Sequence, residues 1–148
     1  MCGIAGFVGP WSPALAASMT VAIAHRGPDG DGLWSDDGVA LGHRRLSIID
    51  LSDAAAQPMH SADGRYALSY NGEIYNFGEL RLELEQAGVA FRTGSDTEVL
   101  LGLFARDGLG CVSRLNGIFA FAVWDRRERV LSVARDHLGV KPFYYAAL

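Results

Sequence analysis

Two cysteines in 148 residues, Cys2 and Cys111, are too few for a disulfide-stapled scaffold, and a reducing cytoplasm is the expected compartment. No apolar run approaches the roughly 18 residues of a membrane span, and no basic start precedes an apolar stretch, so neither an anchor nor a secretory leader is expected. Charge is equally sparse: 13 Lys+Arg against 17 Asp+Glu leave a net charge of −4, which argues against nucleic acid or an acidic membrane as partner. The four histidines stand far apart, without the spacing of a metal site. Neither G-x-x-x-x-G-K-[ST] nor G-x-G-x-x-G occurs, so a phosphate-cradling loop is also missing. What is present is a 49% apolar, 20% charged chain, long enough for one soluble domain with its own core.

The pattern along the chain mixes both periodicities. Residues 2–8 read as a short buried strand. Ser12-Pro13 then predicts a helix start, with Leu15, Met19, Ala22 and Ile23 as its apolar stripe. Segments 32–35 and 39–49 read as strands joined by the "DDG" turn, and "YALSYNGEIYN" as a hairpin turning at Asn71-Gly72. Two helices follow, opened by the capping-box pairs Asn76/Glu79 and Ser95/Glu98. The first has the stripe Phe77, Leu80, Leu84 and Ala87 and stops at Gly88. "IFAFAVW" is apolar on both faces and reads as a strand buried on both sides; "VLSVARD" and "KPFYYAAL" read as the last two strands. Strands at both ends with helices between them imply α+β layers.

A few residues are suited to chemistry. If Met1 is removed, Cys2 carries a thiol and a free α-amine on one residue. A free thiol titrates at about 8.5 and an α-amine at about 7.7–8.0, so the amine can take the thiol proton near neutrality. Taken alone, Cys2 reads more readily as a small buried hydrophobe. The Asn71 side-chain amide and the unobstructed Gly72 N–H suit an oxyanion, although a plain tight turn accounts for them as well. Arg44 and Arg45 alternate across a strand, so one can face a pocket and clamp a carboxylate while the other faces water. Asp96, in a helix's first turn, complements the helix dipole. It could equally join Glu73 in accepting a substrate ammonium. Together these pieces describe a site for an α-amino acid.

In order, "MCGIAGFVG", "HRGPDG", "HRRLSIID", "NGEIYN", "GSDTEVLL", "LNGIFAFAVWD" and "RDHLGVKPFYY" resemble the glutaminase domain of class II glutamine amidotransferases, and within it the glutamine-hydrolysing asparagine synthetase branch. The resemblance implies an N-terminal-nucleophile hydrolase fold, a four-layer α/β/β/α sandwich over residues 1–148. The family's chains continue past "KPFYY", so the C-terminal end of the sandwich and a synthetase domain are expected to lie outside this chain. The resemblance further implies that Cys2 is the nucleophile and that Asn71 and Gly72 form the oxyanion hole. Arg45, rather than Arg44, would hold the glutamine carboxylate. Leu46, Ile48 and Ile49 would line the site, and Glu73 and Asp96 would meet the α-amino group. Cys111 matches no motif position and is expected in the core, and the "HRGPDG" loop receives no catalytic step.

The implied reaction is hydrolysis of L-glutamine to glutamate and ammonia, with no metal or organic cofactor in this half. ATP and Mg are expected only in the synthetase domain that receives the ammonia. The implied partners are L-glutamine and that domain, in the cytoplasm, with a homodimer as the full-length form. Two other readings fit the same residues: a catalytically silent glutaminase-like regulatory or assembly module, and ammonia supply for a carboxylate other than aspartate.

Overall fold

The computed structural model describes residues 1–46 and 52–147. Its frame is two antiparallel sheets. The first has the order β1–β3–β2, from β1 (Gly3–Val8), β2 (Gly30–Asp36) and β3 (Val39–Arg45). The second has the order β4–β5–β6–β7, from β4 (Met59–His60), β5 (Tyr66–Ile74), β6 (Gly117–Asp125) and β7 (Val130–Arg135). Helix α1 (Pro13–Ala22) packs on the first sheet; α2 (Phe77–Gln86) and α3 (Asp96–Asp107) pair with one another, and α3 packs on the second. The layers are therefore α/β/β/α, the expected α+β sandwich.

Two apolar clusters hold the layers together. The larger joins α2 and α3 to the second sheet through residues such as Leu84, Leu100, Leu103, Phe119 and Phe121, all below 1% exposed. The smaller lies between the sheets and uses Val39, Leu41, Ala67, Ala122 and Trp124. β6 contributes to both, which is why its run from Phe119 to Asp125 is buried without alternation. Cys111 sits fully buried in the larger cluster, where burial pushes its thiol up to about 11. It is the core residue the sequence suggests.

Several local expectations need correction. Asn71-Gly72 is not a turn: β5 runs straight through it, pairing Asn71 with Ala120 and Gly72 with Phe119 of β6. A Cβ on Gly72 would lie 2.4 Å from the Ile118 carbonyl oxygen and 2.7 Å from Phe119 Cα, so this glycine serves close strand approach instead. In α1 the buried residues are Ala16 and Thr20, while Leu15 and Ala22 are exposed and Met19 half-buried. The reason lies in β3, where a Cβ on Gly42 would fall 2.0 Å from Thr20 Oγ1; the helix sits too close to the sheet for a large side chain. Ser12 does cap α1, accepting from Ala14 N at 3.2 Å. The Asn76/Glu79 box does not form, because the Asn76 side chain instead ties Arg114 O and Asn116 N across to the entry of β6. Only half of the second box forms: Ser95 Oγ accepts from Glu98 N. Residues 142–147 carry no regular structure, so the last predicted strand is absent among the described residues. Residues 2–8 do form β1 from Gly3 on, but mostly half-buried rather than buried.

Candidate active site

Topology brings the chemistry-bearing residues to one end of the sandwich. β1 begins where its partner β3 ends, with Gly3 opposite Arg44, so Cys2 lies beside Arg45 and Leu46. The second half of β5 reaches the same end. A cleft of about 250 Å³ results, and Cys2, Arg45, Leu46, Asn71, Gly72, Glu73 and Asp96 all line it. Ile48 and Ile49 lie outside the described residues. A broader depression of about 490 Å³ lies elsewhere, between Asp36, Gly64 and Arg126, but it holds no nucleophile, and Arg126 there is tied to Asp36.

Cys2 is half-buried and its sulfur sits against the chain just after β3. Leu46 N donates to Sγ at 3.4 Å, and the thiol donates to Leu46 O at 3.6 Å. Arg26 Nε donates to the Cys2 carbonyl at 3.4 Å. The "HRGPDG" loop thus has a task, which is to fix the backbone at Cys2. Gly27 makes that possible, because a Cβ there would meet the Arg44 main chain at 2.5 Å. Sequence reading left this loop without a role, and the proximity of Arg26 to Cys2 appears only once β1 and β3 are paired.

The strand alternation of β5 defines the opposite wall. Phe119 N donates to Asp136 and Phe119 O accepts from Asp136 N, so both its main-chain groups face β7. Its β5 partner, Gly72, consequently turns its N–H away from β6. The same edge of β5 carries Tyr70 N, which donates to Gln57 Oε1 at 2.6 Å, and Ile74 N, which donates to Asp96 Oδ2 at 3.1 Å. Between those two, the Gly72 N–H is left on the cleft side. The Asn71 side chain projects from the other face of β5, with Ser69, whose hydroxyl donates to Gly42 O across the sheets.

One arginine and two carboxylates join the cleft. Arg44 and Arg45 divide as alternation requires: Arg44 Nε donates to Thr20 O and its Nη1 pairs with Asp31, on the α1 side. Arg45 lines the cleft, with Nη1 donating to Ser52 O at 3.0 Å. Glu73 is exposed at the rim, whereas Asp96 is 4% exposed and accepts from the Tyr70 hydroxyl at 2.7 Å. Burial raises the Asp96 carboxyl above the usual carboxylate range, against its hydrogen bonds from Tyr70 and Ile74. The Glu98 carboxylate gathers Arg92 N, Thr93 N and the Thr93 hydroxyl and so fixes the loop into α3. Gln57 and Lys141 also line the cleft, and sequence reading missed both. Gln57 sits in an Ala-rich loop with no pattern of its own. Lys141 falls in "RDHLGVKPFYY", where no spacing singles out its lysine.

A family model described as "Glutamine amidotransferase domain" matches residues 1–148. The chain belongs to the glutamine amidotransferase domain family. Its relatives include asparagine synthetase [glutamine-hydrolyzing] 1 of Bacillus subtilis, 44% identical over 100% of this chain and 24% of the relative. Asparagine synthetase B [glutamine-hydrolyzing] of Escherichia coli K12 is 39% identical over 97% of this chain and 26% of its own length. This glutamine amidotransferase domain therefore spans about a quarter of the curated relatives it matches. Among solved structures, glutamine phosphoribosylpyrophosphate amidotransferase of B. subtilis superimposes with a TM-score of 0.77 at 23% identity, covering 92% of this chain and 37% of that one. That likeness gives the fold alone, of the N-terminal-nucleophile hydrolase type the resemblance implied. Among the described residues no helix is long and apolar enough to cross a membrane.

Proposed function

We propose that, with Met1 removed, this domain hydrolyses L-glutamine to L-glutamate and ammonia through a thioester on Cys2. Cys2 Sγ attacks the carboxamide carbon while its thiol proton passes to the α-amine of the same residue. The Asn71 amide and the Gly72 N–H hold the oxyanion. The amine then protonates the departing nitrogen, which leaves as ammonia. Water attacks the γ-glutamyl thioester through a second oxyanion, releasing glutamate and restoring the thiol. Arg45 holds the substrate carboxylate, Glu73 and Asp96 take its ammonium, and Leu46, Ile48 and Ile49 line its stem. Thiol, amine and oxyanion donors supply every charge and proton of this half-reaction, so the proposal assigns it no metal or organic cofactor.

One observation carries the reading: a half-buried N-terminal thiol, a strand N–H turned from its ladder, a guanidinium and two carboxylates share one cleft. The proposal extends to ammonia transfer into an ATP- and Mg-using synthetase domain with aspartate as acceptor. It also places the full-length enzyme, a homodimer, in the cytoplasm, where a catalytic thiol stays reduced. The test is acid quenching during turnover, followed by mass spectrometry of the N-terminal peptide. A γ-glutamyl adduct on Cys2 that disappears with Cys2→Ala is expected. Glutamine turnover with no adduct on Cys2, undiminished in Cys2→Ala, refutes the covalent route.

A further inference from the structure

Lys141 is a buried cation that the reaction above leaves unused. It is 5% exposed, yet it lines the cleft that holds Cys2. Lysines this deep are ordinarily paired with a carboxylate. Here, among the described residues, Nζ has no ion-pair partner and donates to the thioether sulfur of Met1 at 2.7 Å, a weak acceptor. Its position is nonetheless fixed. The Asp136 carboxylate accepts from Val140 N at 2.8 Å, Lys141 N at 2.9 Å and Phe119 N at 3.2 Å. This ties the lysine's loop to the β6 residue that faces Gly72. Burial lowers the ammonium from its ordinary range; Arg26 lowers it further, while Cys2, Asp136 and Glu73 act the other way.

Met1 is the residue that must leave for Cys2 to gain its amine. Its removal takes from Lys141 the sulfur it bonds and creates an amine on the adjoining residue. We infer that the Lys141 ammonium then faces the α-amine of Cys2 and holds it in the unprotonated, proton-accepting form. Two physical reasons support this. A neutral amine can accept the hydrogen bond that Met1 gave up, whereas an α-ammonium cannot. A second positive charge beside the first is also disfavoured in a half-buried cleft. Of the other charged groups around the N-terminus, Arg26 acts in the same direction, and Glu73 and Asp136 oppose it. Arg45 and Asp96 are committed to the substrate. Lys141 is thus a positioning residue that works through the amine.

The inference rests on the proposed glutaminase reaction, and one experiment separates the two. Glutamate release is followed against pH for the Met1-free chain, for Lys141→Met and for Lys141→Arg. Loss of the lysine charge moves the acid limb about one pH unit upward, so the ratio of the rate at pH 6 to that at pH 9 falls roughly tenfold in Lys141→Met. Lys141→Arg keeps the charge but cannot serve as a base, and it retains the wild-type ratio. Equal ratios in wild type and Lys141→Met overturn the inference and leave the glutaminase standing. A wild type that releases no glutamate overturns the parent reading. Should Lys141→Met not fold, the Met1-free Cys2→Ser chain is acetylated with acetic anhydride across pH. Reaction of its α-amine is expected to have a midpoint below the ordinary 7.7–8.0, and a midpoint within or above that range refutes the inference.

Discussion

Replacing Gly72 with alanine perturbs the fold and the chemistry through one added methyl group. Its Cβ would lie 2.4 Å from Ile118 O, 2.7 Å from Phe119 Cα and 2.8 Å from Phe119 Cβ. Two of the three are main-chain atoms of a strand buried on both faces, so relief comes only by parting β5 from β6. Overpacking of this kind costs about 1–3 kcal/mol. For a chain of this length each kcal/mol lowers Tm by about 2–4 °C, which gives a fall of about 2–12 °C. The same displacement moves the Gly72 N–H off the oxyanion, and loss of one such donor lowers kcat by about 10²–10³. Gly78 in α2 is the control, because a Cβ there meets nothing within 4 Å. Gly78→Ala is expected to raise stability by up to about 1 kcal/mol without touching turnover. Thermal unfolding and glutamate release, measured on both variants, read the two effects. A Gly72→Ala chain with unchanged Tm and unchanged kcat refutes both the packing argument and the place given to this N–H.

Other consequences are open to measurement. Arg45→Ala raises KM for glutamine steeply, by about tenfold or more for a lost charge-assisted contact, while Arg44→Ala leaves KM near wild type; equal effects in steady-state assays mean that the wrong arginine faces the substrate. His43, 1% exposed, donates from Nε2 to Tyr70 O at 3.1 Å while its Nδ1 has no partner among the described residues, and burial lowers it to about 4. Between about pH 6.5 and 4 the unfolded chain binds the proton that the folded chain refuses, so stability falls by about 3 kcal/mol as pH drops through that window. In His43→Gln most of that slope is gone from denaturant titrations, and a slope of wild-type size shows that another group carries it. Asp125, held down mainly by Arg65, and Asp136, which its backbone N–H partners hold down against burial, lie below the usual range. Their contribution is complete above about pH 4 and is lost only as pH falls further.

Much of this site could be read without coordinates, for reasons that differ from residue to residue. Strand periodicity sends Arg44 and Arg45 to opposite faces without saying which faces the cleft, and the family resemblance picks Arg45; the Thr20 and Asp31 contacts of Arg44 follow that division. Asn71 and Gly72 are expected in a turn and lie instead inside a paired strand. Asn-Gly is a strong turn signal, but here pairing with Ala120 and Phe119 overrides local preference, and the missing side chain serves strand approach. The α1 stripe failed similarly: helical spacing identifies a face, but the gap above Gly42 decides which face can enter it. Gln57 and Lys141 reach the cleft, and Arg26 reaches the Cys2 carbonyl, only through long-range pairing, and no periodicity announces them. Asp96 was legible as a helix-start acid, but its burial and its bond to Tyr70 depend on where α3 lands on β5.

The most direct test is glutamate release from L-glutamine by the 148-residue chain after Met1 removal, with Cys2→Ala alongside. The account predicts release by the wild type and its abolition in Cys2→Ala, with the variant's unfolding transition nearly unchanged. Undiminished release from Cys2→Ala, or none from a folded Met1-free wild type, contradicts it; the latter result points to a silent glutaminase-like module.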